Sequence, residues 1–160
     1  MSQTVKTQRL TMSATLKVQE TRGAGGTVVQ GPTVTTASAP LDNTADNLSV
    51  PFSYTILSGA NTTIDFRALT NAFGTALVFG KIRGLLISVA GSALKIEPGA
   101  SNDLAWFLRG TAPELHLDAG GAVGLFWAAQ YTVDGTHKTL KLTNTGGATA
   151  TVTVIAFGGT

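Results

Sequence analysis

The sequence contains no cysteine, so the fold has neither disulfide bonds nor a metal site built from thiolates. It is also poor in charge: Asp, Glu, Lys and Arg make up 12% of the 160 residues, against about 25% in an average protein. A domain of this length buries roughly 70% of its unfolded surface. Uncharged Thr, Ser, Asn and Gly therefore cover much of what remains exposed, which is typical of β-sheets and of permanent assemblies.

Long apolar segments are absent as well. The longest runs, GLLISVAG and AVGLFWAA, are far shorter than the ~20 residues of a membrane-spanning helix. The beginning of the chain, MSQTVKTQRL, lacks the apolar core of a secretion signal. We therefore expect synthesis in a cytoplasm and no membrane partner.

Most of the sequence alternates between apolar and polar residues, which is the pattern of β-strands. RLTMSATLKVQET alternates cleanly, RGAGG turns the chain, and TVVQGPTVTT returns it. We predict that residues 1–36 form an N-terminal β-hairpin arm and that residues 37–47, ASAPLDNTADN, form a polar linker. Residues 48–160 then form a separate domain.

That domain is predicted to be an all-β, antiparallel β-sandwich of the jelly-roll type. About eight short strands follow residue 48, with glycine-rich turns at intervals of roughly 8–12 residues. The turns at residues 118–121 (DAGG) and 144–147 (NTGG) are predicted to close hairpins. ALVFGKIRGLLISVAG predicts a central strand with a bulge near Gly80 or Gly84, and Pro51 predicts an edge position for its strand.

Residues for metal or cofactor chemistry are few. The two histidines, His116 and His137, occur in no metal-ligand spacing. Asp42 and Asp46 lie close enough in the linker to suggest a calcium site, but Asx turns explain them better than the EF-hand spacing, which is absent. The sequence predicts no metal and no cofactor.

The residue types present are compatible with two kinds of functional site. Glycoside hydrolysis would need a pair of carboxylates drawn from Glu97, Asp103, Glu114 and Asp118. A carbohydrate-binding platform would use the aromatic residues Trp106, Phe107, Trp127 and Tyr131, although core or interface positions are commoner for such residues. The P-loop, GxSxG and dinucleotide-binding patterns are missing, and we predict that the protein is not an enzyme.

Positive charge is concentrated at the N-terminus. Residues 1–22 contain four basic residues, Lys6, Arg9, Lys17 and Arg22, and one acidic residue, Glu20. The rest of the chain is close to neutral, with seven basic and eight acidic residues. We predict that the four basic residues bind an acidic protein surface, whereas nucleic acid is not expected and a solvated strand face is the simpler alternative.

Three segments together resemble a known group of proteins. In order, NTTIDFRALTNAFGTALVFGKIRGLLI, LHLDAGGAVGLFWA and LKLTNTGGATATVTVIAFG resemble small virion proteins of tailed bacteriophages and prophages. The resemblance covers residues 48–158, with no match for residues 1–47. It implies a jelly-roll structural protein that decorates the capsid as a trimeric cement protein, made in the host cytoplasm and bound to the major capsid protein. It supplies no catalytic residues.

Three functions are therefore compared. The first is a structural virion protein, with capsid decoration as the leading version, because it explains the missing chemistry and the low charge. The second is a tail or fibre module that binds glycans or a receptor, and the third is a hydrolase. Apolar residues on both faces of strands such as GLLISV also predict a homo-oligomer, for which we expect a trimer.

Overall fold

A computed structural model of the chain describes residues 9–22, 26–40, 48–70, 74, 76–101, 103–104 and 113–160. Every regular element within these ranges is a β-strand, which confirms the predicted all-β class. The chain divides into two compact units, Met1–Asn43 and Thr44–Thr160. The boundary falls within the segment predicted as a linker, while the division into residues 1–36, 37–47 and 48–160 stays a prediction.

The first unit is a long antiparallel hairpin, as predicted. Strand β1 (Arg9–Arg22) pairs with strand β2 (Gly26–Pro40), which continues past residue 36 into the predicted linker. The ladder shifts register where Lys17 of β1 lies opposite two residues of β2, Gly31 and Pro32. Proline has no N–H to donate, so an interruption of the ladder is expected there.

The second unit contains the remaining strands. Their bounds are β3 (Leu48–Ile56), β4 (Asn61–Asp65), β5 (Leu69–Thr70), β6 (Ala76–Leu77), β7 (Lys81–Ala90), β8 (Leu94–Pro98), β9 (Leu115–Leu117), β10 (Ala122–Thr132), β11 (Thr139–Asn144) and β12 (Ala150–Gly159).

Eight of these strands form two four-stranded antiparallel sheets. The first sheet has the order β10-β7-β12-β3 and the second has the order β4-β11-β8-β9. Among the eight described strands of these two sheets, only β8 and β9 are neighbours both in the chain and in a sheet, since the other connections pass from one sheet to the other. This is the strand order of a jelly roll, and the predicted sandwich is confirmed.

The two turns predicted as hairpins within this unit connect different sheets, so that prediction is wrong. Residues 118–121 lead from β9 in the second sheet to β10 in the first, and residues 145–149 lead from β11 to β12 in the same way. Turn residues determine that the chain reverses, not that the flanking strands pair. Each of these strands packs apolar residues against the core, and crossing between the sheets places the two strands of each pair on opposite sides of it.

The core lies between the two sheets and follows from the alternation. Its buried hydrophobic side chains are Ile56, Ile64, Phe66, Leu69, Phe79, Ile82, Leu85, Ile87, Val89, Leu94, Ile96, Leu104, Val133, Leu140, Leu142, Ala150, Val152, Val154 and Ala156. The rings of Phe66 and Phe79 meet edge to face, with centroids 6.3 Å apart. Such a pair adds about 1 kcal/mol beyond the burial of its area.

The predicted bulge and edge strand are both present. On β7, Gly84 pairs with Phe157 and Ile82 pairs with Gly158, so Arg83 is an extra residue in the ladder. Pro51 lies in β3, at the edge of the first sheet. β7 itself is central, between β10 and β12.

One buried amide holds the end of the sandwich together. The Asn144 side chain is 1% exposed, and its Nδ2 donates to the carbonyl oxygens of Ile56 at 2.9 Å and Ala148 at 2.7 Å. Its Oδ1 accepts from the N–H of Gly146 at 3.0 Å. The end of β3 and the loop between β11 and β12 are thus fixed to the same side chain.

We expect Asn144→Ala to destabilise the fold by about 2–4 kcal/mol, because it leaves two carbonyl groups and one N–H without their partner. Urea unfolding measures the change. The exposed neighbour Thr145 provides the control, since Thr145→Ala should change stability by no more than about 0.5 kcal/mol. Equal effects of the two substitutions would contradict a structural role for the amide.

Candidate interaction surface

The outer face of the first sheet carries no charged side chain at its described positions between the bulge and the opposite end. We call it the uncharged face. It consists of Pro51, Ser53, Thr55, Leu86, Ser88, Ala90, Ala122, Gly124, Thr151, Thr153, Ile155 and Phe157. The charged residues of β7, Lys81 and Arg83, lie at the bulge end of that strand.

The uncharged face is apolar towards the bulge and carries hydroxyl groups from its middle to the opposite end. Ile155 of β12 lies directly opposite both Leu86 and Pro51 on the adjacent strands. In the next outward row, Thr153 lies between Ser53 and Ser88. On β12 the inward residues are fully buried while Ile155 and Phe157 remain partly exposed, so this strand is apolar on both faces.

The outer face of the second sheet is charged. Lys95 Nζ lies 2.9 Å from Glu97 Oε1 and 3.4 Å from Glu114 Oε2. Lys141 Nζ lies 3.5 Å from Glu97 Oε2, and His116 Nε2 lies 3.0 Å from Glu114 Oε1. These residues come from β8, β11 and the segment that ends in β9, and they form a connected network on a solvated sheet surface.

Both glutamates of this network are held ionised. The hydrogen bond from Lys95 is the main cause that lowers the pKa of Glu97, and the Thr143 hydroxyl also donates to this carboxylate at 2.9 Å. The hydrogen bond with His116 is the main cause that lowers the pKa of Glu114. A glycosidase needs one carboxyl group with a raised pKa as its general acid, and neither of these two has it.

The other two candidate carboxylates are placed separately. Asp103 forms an isolated backbone bridge with Thr139, and Asp118 is exposed in the turn before β10. The structure therefore joins Glu97 and Glu114 through the ammonium group of Lys95. This is the arrangement of a surface ion-pair network, whose exposed pairs contribute little to stability because solvent screens them.

Each histidine contacts a carboxylate close to it in the chain. His116 is exposed, while Leu115 and Leu117 on either side of it pack against the core, as the alternation predicts. His137 Nδ1 lies 3.1 Å from Asp134 Oδ1. Among the described residues, no group of three or more His, Asp or Glu side chains is arranged to hold a metal ion. Asp42 and Asp46 lie outside the described residues.

The turn before β11 is organised by one carboxylate. Asp134 Oδ1 accepts hydrogen bonds from the N–H of Thr136 at 2.7 Å, from the Thr136 hydroxyl at 2.8 Å and from the N–H of His137 at 2.8 Å. These bonds, with the backbone bond from Thr136 the largest contribution, lower the pKa of Asp134 from 3.8 to about 2. They favour the ionised form because a charged oxygen is the better acceptor.

A pH dependence of stability follows from this shift. Because the folded pKa lies below the unfolded value, the contribution of Asp134 is fully present above pH 3.8 and is lost as the pH falls through about 2. We expect Asp134→Asn to be less stable than the wild type at neutral pH, with the difference vanishing across that window. Thermal unfolding at a series of pH values measures this, and a difference that persists unchanged at the acid end would contradict it.

The aromatic residues proposed as a carbohydrate platform are only partly placed. Trp106 and Phe107 lie outside the described residues, as does the side chain of Trp127. Tyr131 packs against the core, and burial is the main cause that raises its pKa, with smaller contributions from Asp103 and Asp134. The described geometry thus gives Tyr131 a packing role.

The basic residues of the hairpin arm are spread along it. Arg9 pairs with Pro40 at one end of the ladder, Arg22 pairs with Gly26 at the other, and Lys17 lies at the register shift between them. At about 3.3 Å per residue, Arg9 and Arg22 are about 40 Å apart along β1. Lys6 and the side chains of the other three lie outside the described part of the chain, so their role in partner binding stays a prediction.

No family model and no curated protein matches the chain. Among solved structures, the crystal structure of the Yersinia pseudotuberculosis-derived mitogen is similar at 14% sequence identity and a TM-score of 0.36, over 68% of this chain and 84% of that one. In the described ranges, no helix has the length and apolar character needed to cross a membrane.

Proposed function

We propose that the protein is a structural component of a tailed-bacteriophage virion, in which it decorates the capsid shell as a cement protein. The observation that carries this proposal is the contrast between the two outer faces of the jelly roll. One face bears the ion-pair network of Lys95 and Glu97, while the other exposes Leu86, Ile155 and Phe157 among hydroxyl groups. An uncharged, partly apolar sheet face on a compact domain fits a protein that functions within an assembly.

The resemblance of residues 48–158 to small phage virion proteins gives the class of assembly. The partners expected from it are other copies of the chain, as a trimer, and the major capsid protein of the shell. The protein would be made in the host cytoplasm and would end on the outer surface of the capsid. The separate hairpin unit, Met1–Asn43, offers a second attachment element whose β1 carries an excess of positive charge.

The test is to locate the protein on purified particles. Cryo-electron microscopy of particles with and without the protein should show additional density at regular positions of the capsid lattice. Particles that lack it should release their DNA at lower temperature than complete ones. Density at the tail would overturn capsid decoration in favour of the receptor-binding alternative, and absence from purified particles would overturn both.

A further inference from the structure

We propose that a second copy of this chain packs on the uncharged face. The inference goes beyond capsid decoration because it names the surface through which copies associate. Three described strands, β3, β7 and β12, form the part of the face on which this proposal depends. Their outward residues include Ser53, Leu86, Ser88, Thr153 and Ile155. It is tested on purified protein, so it stands or fails independently of any particle experiment.

Because the uncharged face carries no charged side chain at its described positions, only some kinds of protein surface can pack on it. A charged group that is brought against it would lose its hydration and find no opposite charge among Leu86, Thr153 and Ile155. The surface that meets it must therefore be uncharged too. The charged network around Lys95 and Glu97 on the other sheet does not meet that condition.

The chain itself supplies surfaces that do meet the condition. The uncharged face of a second copy is one, and its hydroxyl rows suit like-with-like contact because each hydroxyl group both donates and accepts a hydrogen bond. The end of the sandwich formed by residues 57–60 and 145–149 is another, with Leu57 exposed there. A pair of copies would join like faces, whereas a cyclic trimer would join the face to a different surface, and both arrangements bury it.

The area of the uncharged face is large enough to form the central part of a protein–protein interface. Strands about 4.8 Å apart, covered over roughly six residues of about 3.3 Å each, give the four-stranded sheet a face on the order of 400 Å². A standard interface covers about 800 Å² on each partner. The face then forms the apolar centre, and neighbouring edges and loops form the polar rim.

The decisive variant is Thr153→Lys. Thr153 lies between Ser53 and Ser88 in the middle of the face, where a lysine in a monomer would extend into water. In an oligomer the same ammonium group would be buried without a partner. Sedimentation velocity of the full chain should show an oligomer for the wild type and a monomer for this variant. We expect the dissociation constant to rise by about 100-fold or more.

The matched control is Asn61→Lys, which adds the same charge at an exposed position on β4 of the other sheet. It should remain an oligomer with wild-type affinity. Ser53→Lys, at an exposed position on β3, serves as a second variant should Thr153→Lys fail to give the circular dichroism spectrum and urea midpoint of a folded protein. A monomeric wild type at micromolar concentration, or wild-type assembly by a folded face variant, would overturn the proposal.

Discussion

Deletion of residues 1–36 is expected to leave the jelly roll folded and, under the proposed function, to remove most of the binding of the protein to the phage particle. Among the side chains that the structure describes, the buried hydrophobic ones run from Ile56 to Ala156, within the unit Thr44–Thr160. A two-stranded hairpin is barely stable alone in water, so the arm needs a surface to pack on. On a particle, that surface would be a neighbouring subunit or the shell.

The expected contact is also electrostatic. Lys6, Arg9, Lys17 and Arg22 give residues 1–22 a net charge of +3, four basic residues less Glu20. Because β1 extends for about 40 Å and charges are screened beyond about 8 Å at physiological salt, the basic groups act separately. Neutralising one of them, as in Arg9→Gln, should therefore weaken binding less than the deletion does.

Two measurements separate the possible results of the deletion. Circular dichroism and urea unfolding report whether the truncated chain folds, and co-sedimentation with particles at low and high salt reports whether it binds. An unfolded product would show that the arm belongs to the core. Full binding at both salt concentrations would place the attachment surface on the sandwich.

Gly158→Ala is expected to destabilise the fold by about 3 kcal/mol or more. A Cβ at this position would overlap the carbonyl oxygen of Lys81 and would lie 2.9 Å from the Lys81 carbonyl carbon and 3.0 Å from the Cα of Ile82. These are backbone atoms of the adjacent strand β7, so they cannot rotate away as a side chain would. The ladder between β12 and β7 has to separate next to the bulge at Arg83.

The control for this substitution is Gly147→Ala in the loop before β12. Nothing lies within 4 Å of a Cβ built at Gly147, so the added methyl group should change stability by no more than about 0.5 kcal/mol. Urea midpoints of the two variants provide the comparison. A wild-type midpoint for Gly158→Ala would mean that β12 and β7 are farther apart than described.

Local patterns in the sequence predicted the elements but not all of their partners. Alternation placed the strands, and the glycines near residue 84 placed the bulge, because both depend on residues close in the chain. The turns at residues 118–121 and 144–147 are predicted as hairpins for the same reason, yet they join different sheets. The choice depends on which distant strand each segment pairs with, and no short stretch of sequence contains that information.

The sequence predicts which residues of the candidate surface point outward, but not which of them are neighbours, because neighbours depend on strand pairing. The alternation in VTVIAFG shows that Ile155 and Phe157 lie opposite to the buried side of β12. That Leu86 lies beside Ile155 follows only from the pairing of β12 with β7. The network on the other sheet likewise needs β8 next to β11 before Glu97 can meet Lys141. The basic residues of β1, which sequence reasoning did select, are in contrast distributed along the whole arm.

The position of β12 has a consequence for synthesis of the protein. It is the last strand of the jelly roll, yet it lies between β7 and β3 and pairs with both of them. On the ribosome, where chains grow at about 5–20 residues per second, the first sheet cannot close until β12 has emerged. Until then the edges of β3 and β7 that β12 covers in the folded domain are open, so nascent chains are prone to pair with one another through these edges until β12 has left the ribosome.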